Sequence, residues 1–233
     1  SSPNAWNTAL TAGTNIVGGP FLGGNAWAGT GGFSVNCVDA DSDGICDLPF
    51  NISTNNVDVL PLALGATELF LLGPAKVWVG LKNSDAVGLR LDLKAEVYVN
   101  TSKVGEGQLN DVASGSSGFN NALLDTIPLT LFTPVEVFPG DALRFTLLVR
   151  RTCFGAGHNS GTARLWFNDS QANSRFGATI GDTASDLFLL DGFVLGTTPG
   201  PGPKKAIDVS VDNKAACPDR PFKPFGTWSM TLP

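Results

Sequence analysis

The sequence predicts an all-β protein, and three observations support this fold class. From Val87 to Asn100, apolar side chains alternate with mostly polar ones over fourteen residues, which is the period of a half-buried antiparallel strand. The 233-residue chain contains 28 Gly and 15 Pro, which suits short strands separated by many turns. No stretch of the chain shows the period of about 3.6 residues that marks an amphipathic helix.

The same alternation extends to other parts of the chain. Leu143–Val149 alternates in this way after a turn at Pro139–Asp141. Many strands, frequent turn residues and no helical pattern predict that residues 65–233 form a jelly-roll-like antiparallel β-sandwich. Further predicted strands are Lys76–Leu81, Thr162–Phe167, Asp186–Leu195, Ala206–Val211 and Gly226–Leu232, and a rigid loop is predicted at Thr197–Pro203.

An acidic segment, Asp39–Asp47, carries the clearest chemical pattern of the chain. Its Asp residues stand at alternate positions, a glycine follows the third, and a fourth Asp comes three residues later. Ca²⁺ takes about six to eight oxygen ligands, and alternate carboxylates around a turning glycine supply oxygens that point to one side. We therefore expect a bound Ca²⁺ whose ligands are Asp39, Asp41, Asp43, Asp47 and the backbone carbonyl of Ile45.

One alternative interpretation of this segment is excluded by the sequence and one remains. An EF-hand is excluded, because the loop position that requires Glu in that motif is Phe50. A solvated acidic turn without an ion is the remaining alternative. Four carboxylates within nine residues repel one another, which favours the calcium interpretation.

Four cysteines, Cys37, Cys46, Cys153 and Cys217, allow three disulfide connectivities. Cys37 and Cys46 bracket the acidic residues, so we expect them to close the loop, and we expect Cys153 to pair with Cys217. A zinc site is the competing interpretation, but the closely spaced cysteine pairs typical of such sites are missing. Disulfides would place the protein in an oxidising compartment.

Composition narrows the possible partners and location. The net charge of −6 argues against nucleic-acid binding, and no apolar run of about 18 residues predicts a membrane span. Residue 1 is Ser and Met230 is the only Met, so we expect a secreted chain cut from a precursor, or else a fragment. Sequons that permit glycosylation occur at Asn51, Asn100 and Asn168.

Residues 1–64 contain three short motifs: Gly18–Asn25 followed by Trp27, Leu48–Ile52 after the acidic segment, and Asp58–Leu62. On these motifs, the segment resembles the C-terminal end of secreted NosD-like right-handed parallel β-helix proteins of the periplasmic copper-binding family. The resemblance implies a closing β-helix rung and cap. Ala26 replaces an aromatic residue of that pattern. We do not carry over a copper site, because the chain has one His and one Met.

The resemblance divides the chain into residues 1–64 and residues 65–233, the second of which resembles a β-sandwich domain of bacterial secreted proteins. Sixty-four residues hold too few rungs to bury a solenoid core, which needs roughly three or more. We therefore expect the first segment to pack on the second or on a neighbouring molecule. The alternative is that it is the remnant of a longer, cleaved β-helix.

Three aromatic residues, Trp78, Tyr98 and Trp166, fall on the polar phase of predicted strands. Aromatic side chains beside charged groups stack on sugar rings or anchor protein interfaces. In the alternative, loops or residues 1–64 cover this face of the sheet. The three residues are therefore candidates for glycan binding or for a protein contact.

Catalytic patterns are weak. His158 is the only histidine and lies in a glycine-rich loop, so any Ser-His-Asp triad must use it, and no nucleophile-elbow motif is present. We expect a non-enzymatic, calcium-stabilised extracellular or cell-surface protein of structural or adhesin-like type. It would self-associate as a homo-oligomer or filament, through residues 1–35 and at least one of the three aromatic residues. The alternative is a carbohydrate-binding accessory region of a larger β-helix polysaccharide-processing enzyme.

Overall fold

The structure is a computed structural model that describes residues 8–17, 19–27, 32–41, 43–65, 67–154 and 157–232. It confirms the all-β class, because the described helices are one turn of α-helix, α1 (Phe33–Asn36), and three 3₁₀ turns at Ser84–Ala86, Phe119–Asn121 and Asp191–Phe193. The strands are β1 (Thr11–Ala12), β2 (Phe21–Leu22), β3 (Phe50–Ser53), β4 (Asn56–Asp58), β5 (Thr67–Leu81), β6 (Arg90–Val99), β7 (Ser102–Ala113), β8 (Leu123–Ile127), β9 (Thr130–Leu131), β10 (Val135–Val137), β11 (Ala142–Arg151), β12 (Ser160–Phe167), β13 (Arg175–Ile180), β14 (Thr183–Leu190), β15 (Val194–Gly196), β16 (Lys205–Asp212) and β17 (Lys223–Thr231).

The chain divides into two compact units. The first comprises Ser1–Thr67 together with two short later pieces, Glu136–Asp141 and Thr231–Pro233. The second comprises Glu68–Val135 and Ala142–Met230. The sequence pattern gave no sign of the two later pieces of the first unit, because contacts between distant parts of a chain leave no local periodicity.

The first unit is built from small antiparallel pairings. Strand β1 pairs with β2, and β3 pairs with β4. An antiparallel bridge joins Ile45 to Leu62, and both side chains are buried. A β-helix rung stacks its strands in parallel, whereas these described pairings are antiparallel. The β-helix cap for residues 1–64 stays a prediction.

The second unit contains a large sheet whose strand order is β16-β12-β5-β13-β14-β15-β17-β11-β6-β7-β9. Most neighbours pair antiparallel, while β15 pairs with β17 in parallel. Strand β8 lies outside this order and pairs antiparallel with β5. This order brings strands that are far apart in sequence side by side.

The core of the second unit lies where the large sheet folds over itself. Strands β11 and β13 are not neighbours in the sheet, yet Phe145 of β11 stacks on Phe176 of β13 with ring centroids 4.7 Å apart. Phe167 of β12 similarly meets Trp228 of β17 at 5.6 Å. All four side chains are buried. This packing is consistent with the β-sandwich prediction, and the jelly-roll topology stays a prediction.

Several predicted strands need correction. The strand predicted from Val87 begins instead at Arg90, and Val87 is half exposed after the 3₁₀ turn. The strand predicted over Asp186–Leu195 is two antiparallel strands, β14 and β15, because Gly192 adopts a φ of 73° between them and reverses the chain.

Strands β7, β8 and β13 have no counterpart in the sequence predictions. Strand β7 contains Gly105 and Gly107, which interrupt the alternation of side chains. A Cβ atom at Gly107 would collide with the carbonyl of Pro128, so the glycine permits a close backbone approach. Such a contact is set by tertiary structure and does not produce a strand-like pattern.

Candidate functional site

The acidic loop of the first unit brings three carboxylates together. Asp39, Asp41 and Asp43 each offer a carboxylate oxygen, and these oxygens lie within 4.8 Å of one another. The loop follows α1 and ends where Ile45 enters its antiparallel bridge. The sequence pattern of alternate Asp residues therefore corresponds to a real convergence of oxygens in space.

Backbone hydrogen bonds fix the shape of this loop. Asp39 accepts from the N–H groups of Asp43 and Gly44 at 3.1 and 3.0 Å, and Asp43 accepts from the N–H of Ile45 at 2.8 Å. Gly44 has a φ of 82°, a left-handed conformation that favours glycine. An ionised carboxylate has about four acceptor sites, so these bonds leave capacity for a cation. Carboxylate oxygens are hard donors of the type that Ca²⁺ prefers.

The other two predicted ligands are placed differently. Asp47 accepts from the N–H of Ala40 at 3.3 Å and lies outside the three-carboxylate group. The Ile45 side chain is buried, and its carbonyl stays a predicted ligand only. The structure thus brings together three of the four predicted carboxylates.

Both predicted disulfides are present. Cys37 joins Cys46 across the acidic loop with Cα atoms 5.5 Å apart, and Cys153 joins Cys217 with Cα atoms 5.7 Å apart. The first bond ties the two ends of the acidic loop together. The second links the segment after β11 to the segment before β17.

A buried carboxylate explains much of the motif pattern in residues 1–64. Asp58 is fully buried and accepts hydrogen bonds from the N–H of Asn25 at 2.8 Å, the indole N–H of Trp27 at 2.9 Å and the N–H of Leu60 at 3.2 Å. A Cβ atom at Gly24 would collide with this carboxylate. These motif residues therefore hold the first unit together.

Trp78 and Trp166 lie on the predicted face of the sheet, but they are only partly exposed. They are cross-strand partners on β5 and β12, and Phe119 packs against both rings, with centroids 5.2 and 6.0 Å away. The indole N–H of Trp78 donates to Asn173 at 3.2 Å, whereas the indole nitrogen of Trp166 is buried without a hydrogen-bond partner within the described chain. The segment that carries Phe119 covers part of this face, which agrees with the alternative that a loop lies over it.

Tyr98 belongs to a charged network on β6 and β7. Its hydroxyl donates to Glu96 at 2.8 Å, and Arg144 lies over its ring at 5.2 Å. The hydrogen bond to Glu96 raises the pKa of Tyr98. Burial opposes ionisation of Glu96, but hydrogen bonds from Lys94 and Tyr98 outweigh it and hold its pKa below the usual value. The contacts with Glu96 and Arg144 hold the Tyr98 side chain against the surface of the sheet.

The three sequons have different environments. Asn51 on β3 and Asn100 in the turn after β6 are exposed, as a glycan requires. Asn168 is buried: its side chain donates to the carbonyl of Pro203 at 3.2 Å and accepts from the N–H of Asp191 at 2.8 Å. The amide nitrogen of Asn168 is therefore engaged inside the folded chain, and glycosylation at this sequon stays a prediction that the folded structure does not favour.

His158 lies beside a small cavity that Asp85 and Ser160 also line. Within the described residues, no hydrogen bond joins these three side chains. The backbone carbonyl of His158 accepts a hydrogen bond from Nε of Arg151 at 3.4 Å. The side chains of a catalytic triad are coupled by hydrogen bonds, which this arrangement lacks.

Asp125 on β8 is a titratable group that the sequence did not single out. It lies opposite Val77 in the pairing of β8 with β5, so the two side chains lie on the same face of the sheet. Its Oδ2 atom is buried and has no hydrogen-bond partner among the residues described. Burial raises the pKa of Asp125 to about 7. No local pattern marks it, because its neighbours in sequence have ordinary strand character.

Comparisons of the chain with protein-family models, with curated proteins and with solved structures found no match. The resemblance of residues 1–64 to β-helix proteins therefore stays an expectation from the sequence. None of the described helices has the length and apolar character needed to cross a membrane.

Proposed function

We propose that this chain is a non-enzymatic extracellular protein of structural or adhesin-like type, in which Ca²⁺ stiffens the acidic loop of the first unit. The observation that carries the proposal is the convergence of three carboxylates in a loop that the Cys37–Cys46 bond closes. Disulfides of this kind persist in oxidising compartments, which supports an extracellular location.

Electrostatics supports the cation. Asp39, Asp41 and Asp43 place like charges within 4.8 Å, and their mutual repulsion opposes the loop conformation. A divalent cation between the three carboxylates would attract each of them and offset their mutual repulsion. Because the cation would bind the folded loop and not the unfolded chain, it would raise the free energy of unfolding by about 2.7 kcal/mol when its concentration is about 100 times Kd.

The experiment is a calcium titration of the purified chain by calorimetry, together with thermal unfolding in CaCl₂ and in chelator. We expect saturable binding of one Ca²⁺ and a higher Tm in CaCl₂. Asp41→Asn should remove both effects. Asp182→Asn, which makes the same chemical change in an exposed turn of the second unit, should retain them.

Asp47→Asn refines the ligand set. Binding that survives this change would restrict the protein ligands to the three converging carboxylates and the backbone. A Tm that is the same in CaCl₂ and chelator for the unchanged chain would refute the calcium proposal. Circular dichroism and a free-thiol assay would show that each variant is folded.

Self-association is part of the same proposal. In residues 8–35, Leu10, Ile16 and Leu22 are 48%, 82% and 41% exposed. Where exposed apolar side chains form a contiguous patch, they are typical of a surface that meets a partner. We propose a second copy of this chain as that partner, which is the arrangement a structural or adhesin-like protein uses to assemble.

One observation favours the second candidate function, glycan binding. Trp78, Phe119 and Trp166 form an aromatic group that keeps partial solvent exposure, and Lys204 lies 5.0 Å from the Phe119 ring. Aromatic rings beside polar groups suit the apolar faces of sugars. Retardation of the chain on immobilised polysaccharide, lost in Trp78→Ser, would support this function. Equal mobility of both proteins would exclude Trp78 as a glycan platform.

A further inference from the structure

A cavity of about 240 Å³ in the second unit has a strongly cationic lining. Five of the chain's 15 Lys and Arg residues line it, although the whole chain has a net charge of −6. One carboxylate, Asp212, lies among them. This concentration of positive charge in an acidic chain favours an anion. The five residues are Arg150, Arg151, Lys214, Arg220 and Lys223.

Two of these cations are buried close together. Arg151 and Arg220 are only 7% and 9% exposed. An Nη1 atom from each donates to the carbonyl oxygen of Thr152 at 2.6 Å, so the two nitrogens lie no further apart than twice that distance. Like charges at this separation repel strongly where water is excluded.

No carboxylate lies within ion-pair distance of either arginine in the described part of the chain, although the hydrogen bond from Arg90 that holds the pKa of Asp111 low is supplemented at longer range by the Arg151 guanidinium. Arg150 has such a partner, since its Nε donates to the buried Asp92 at 2.9 Å. Among the described residues, Arg151 and Arg220 form no ion pair with a carboxylate, and neither do the two cavity lysines. Backbone carbonyls accept their hydrogen bonds but carry no net charge. A buried cation without a counter-charge is costly, so an anion in this cavity would stabilise the fold.

The walls of the cavity are held in place by covalent and backbone structure. Arg150 and Arg151 are the last residues of β11, and Cys153, two residues later, forms the disulfide bond with Cys217. Arg220 donates through Nε to the carbonyl of Ala215 at 3.2 Å, and Lys223 at the start of β17 donates to the carbonyl of Ser210 at 2.8 Å. A site whose side chains are already positioned loses little conformational entropy on binding.

We propose that this cavity binds one oxyanion group, a carboxylate or a sulfate. Guanidinium N–H groups donate charge-assisted hydrogen bonds to the oxygens of such anions. Backbone carbonyls take most of the Arg220 N–H groups, but Nη2 of Arg150 and Nη2 of Arg151 donate to no acceptor among the described residues and stay available for an anion. The volume admits such a group with several waters, since water occupies about 30 Å³. The group is supplied either by a free anion or by an acidic sugar. All five cations belong to the second unit, so the proposal is independent of the calcium loop.

The test is a titration of the whole chain in Tris chloride, free of sulfonate buffers and chelators, at constant ionic strength. The probes are sodium sulfate, sodium glucuronate and glucose, and binding is followed by calorimetry and by amide shifts in NMR spectra. We expect sulfate to bind saturably and glucose not to bind. Glucuronate binding as tight as that of sulfate, or tighter, would assign the group to an acidic sugar. Binding of sulfate alone would assign the site to a free anion.

Two lysines allow a variant that leaves the buried arginines intact. The double variant Lys214→Gln, Lys223→Gln should weaken sulfate binding by about tenfold, which corresponds to the loss of roughly one charge-assisted contact. Lys76→Gln, on β5 and outside the cavity lining, should bind as the parent does. Arg151→Lys keeps the charge but not the forked geometry and should weaken binding as well. Circular dichroism would confirm that each variant is folded.

Three results would overturn the proposal. The first is the absence of saturable binding of either anion beyond the effect of chloride at equal ionic strength. The second is binding of glucose as tight as that of glucuronate, since the acidic group would then not be recognised. The third is binding that the double lysine variant leaves unchanged, which would place the anion elsewhere.

Discussion

The indole N–H of Trp27 donates a hydrogen bond of 2.9 Å to the fully buried carboxylate of Asp58, thirty-one residues later in the chain. Two backbone N–H groups, from Asn25 and Leu60, bind the same carboxylate. The ring of Trp27 packs against Phe50, with centroids 4.9 Å apart. A single charged side chain therefore organises two of the motifs that stand out in residues 1–64.

Replacement of this carboxylate should destabilise the first unit. Asp58→Ala leaves three N–H donors without their acceptor, and we expect a loss of about 3 kcal/mol or more in the free energy of unfolding. Trp27→Phe keeps the ring contact and removes one donor, so it should cost about 1 kcal/mol. Urea unfolding of both variants measures the difference. Equal stability of Asp58→Ala and the parent would show that the network contributes little.

Asp125 should make the stability depend on pH between about 4 and 7. Its folded pKa of about 7 exceeds the ordinary value of 3.8, so the native state keeps a proton that the unfolded state releases in this range. The free energy of unfolding should therefore fall as the pH rises, by about 2–4 kcal/mol once partial solvent exposure is considered. The lowered pKa values of Glu96 and Glu106 make stability rise with pH up to about their ordinary value of 4.5, so these two groups affect only the acidic end of this range.

Asp125→Asn should remove that dependence. We expect its free energy of unfolding to be nearly constant from about pH 5.5 to pH 7 and to exceed that of the parent at about pH 8. Asp182→Asn, in an exposed turn, should keep the parental slope. Denaturant unfolding at several pH values gives both slopes, and an unchanged slope for Asp125→Asn would mean that another group titrates.

The ion pair of Asp92 and Arg150 should be important for stability. Asp92 is fully buried and also accepts from the N–H of Asp111 at 3.0 Å. Arg150→Met leaves this buried carboxylate without its cation, which should cost about 3–5 kcal/mol. Arg164→Met breaks the more exposed pair with Asp208 and should cost about 1 kcal/mol or less. A similar small effect of both changes in chemical denaturation would contradict the buried-pair argument.

The Cys37–Cys46 bond should support the calcium loop. The two cysteines are nine residues apart in the sequence. The double variant Cys37→Ser, Cys46→Ser should therefore lose about 2–3 kcal/mol of the free energy of unfolding, because the unfolded chain gains entropy when this loop is opened. The same variant should bind Ca²⁺ more weakly, because its three carboxylates must be ordered on binding. Calorimetric titration measures this. If the affinity of the variant for Ca²⁺ equals that of the parent, the bond does not organise the site.

Exposed apolar residues of the first unit should control self-association. Light scattering of the concentrated parent is expected to show an assembly larger than one chain. Leu10→Ser with Ile16→Ser should reduce its mass, because the contact would lose apolar area. Val59→Ser is the control, since Val59 is 54% exposed and lies outside residues 1–35. A strictly monomeric parent would end the assembly proposal.

The sequence determined features that depend on near neighbours in the chain. The alternation after Val87 predicted β6, and the spacing of Asp39, Asp41 and Asp43 predicted their convergence, because both follow from the local geometry of the backbone. Cys37 and Cys46 are so close in sequence that their pairing was the simplest choice. Local patterns of this kind need no knowledge of the rest of the fold.

The tertiary structure alone decided which polar groups are buried and what meets them. The motif that begins at Asp58 does not indicate that three N–H groups bind its carboxylate, and the ordinary sequence neighbours of Asp125 do not indicate that one of its oxygens has no partner among the described residues. Phe119 covers part of the aromatic face through a segment whose position no periodicity encodes. The cationic cavity gathers residues from separate parts of the chain, Arg150 and Arg151, Lys214, and Arg220 to Lys223. Charge and burial at such places depend on long-range packing, because the cost of desolvating a group is set by the partners that the complete fold brings to it.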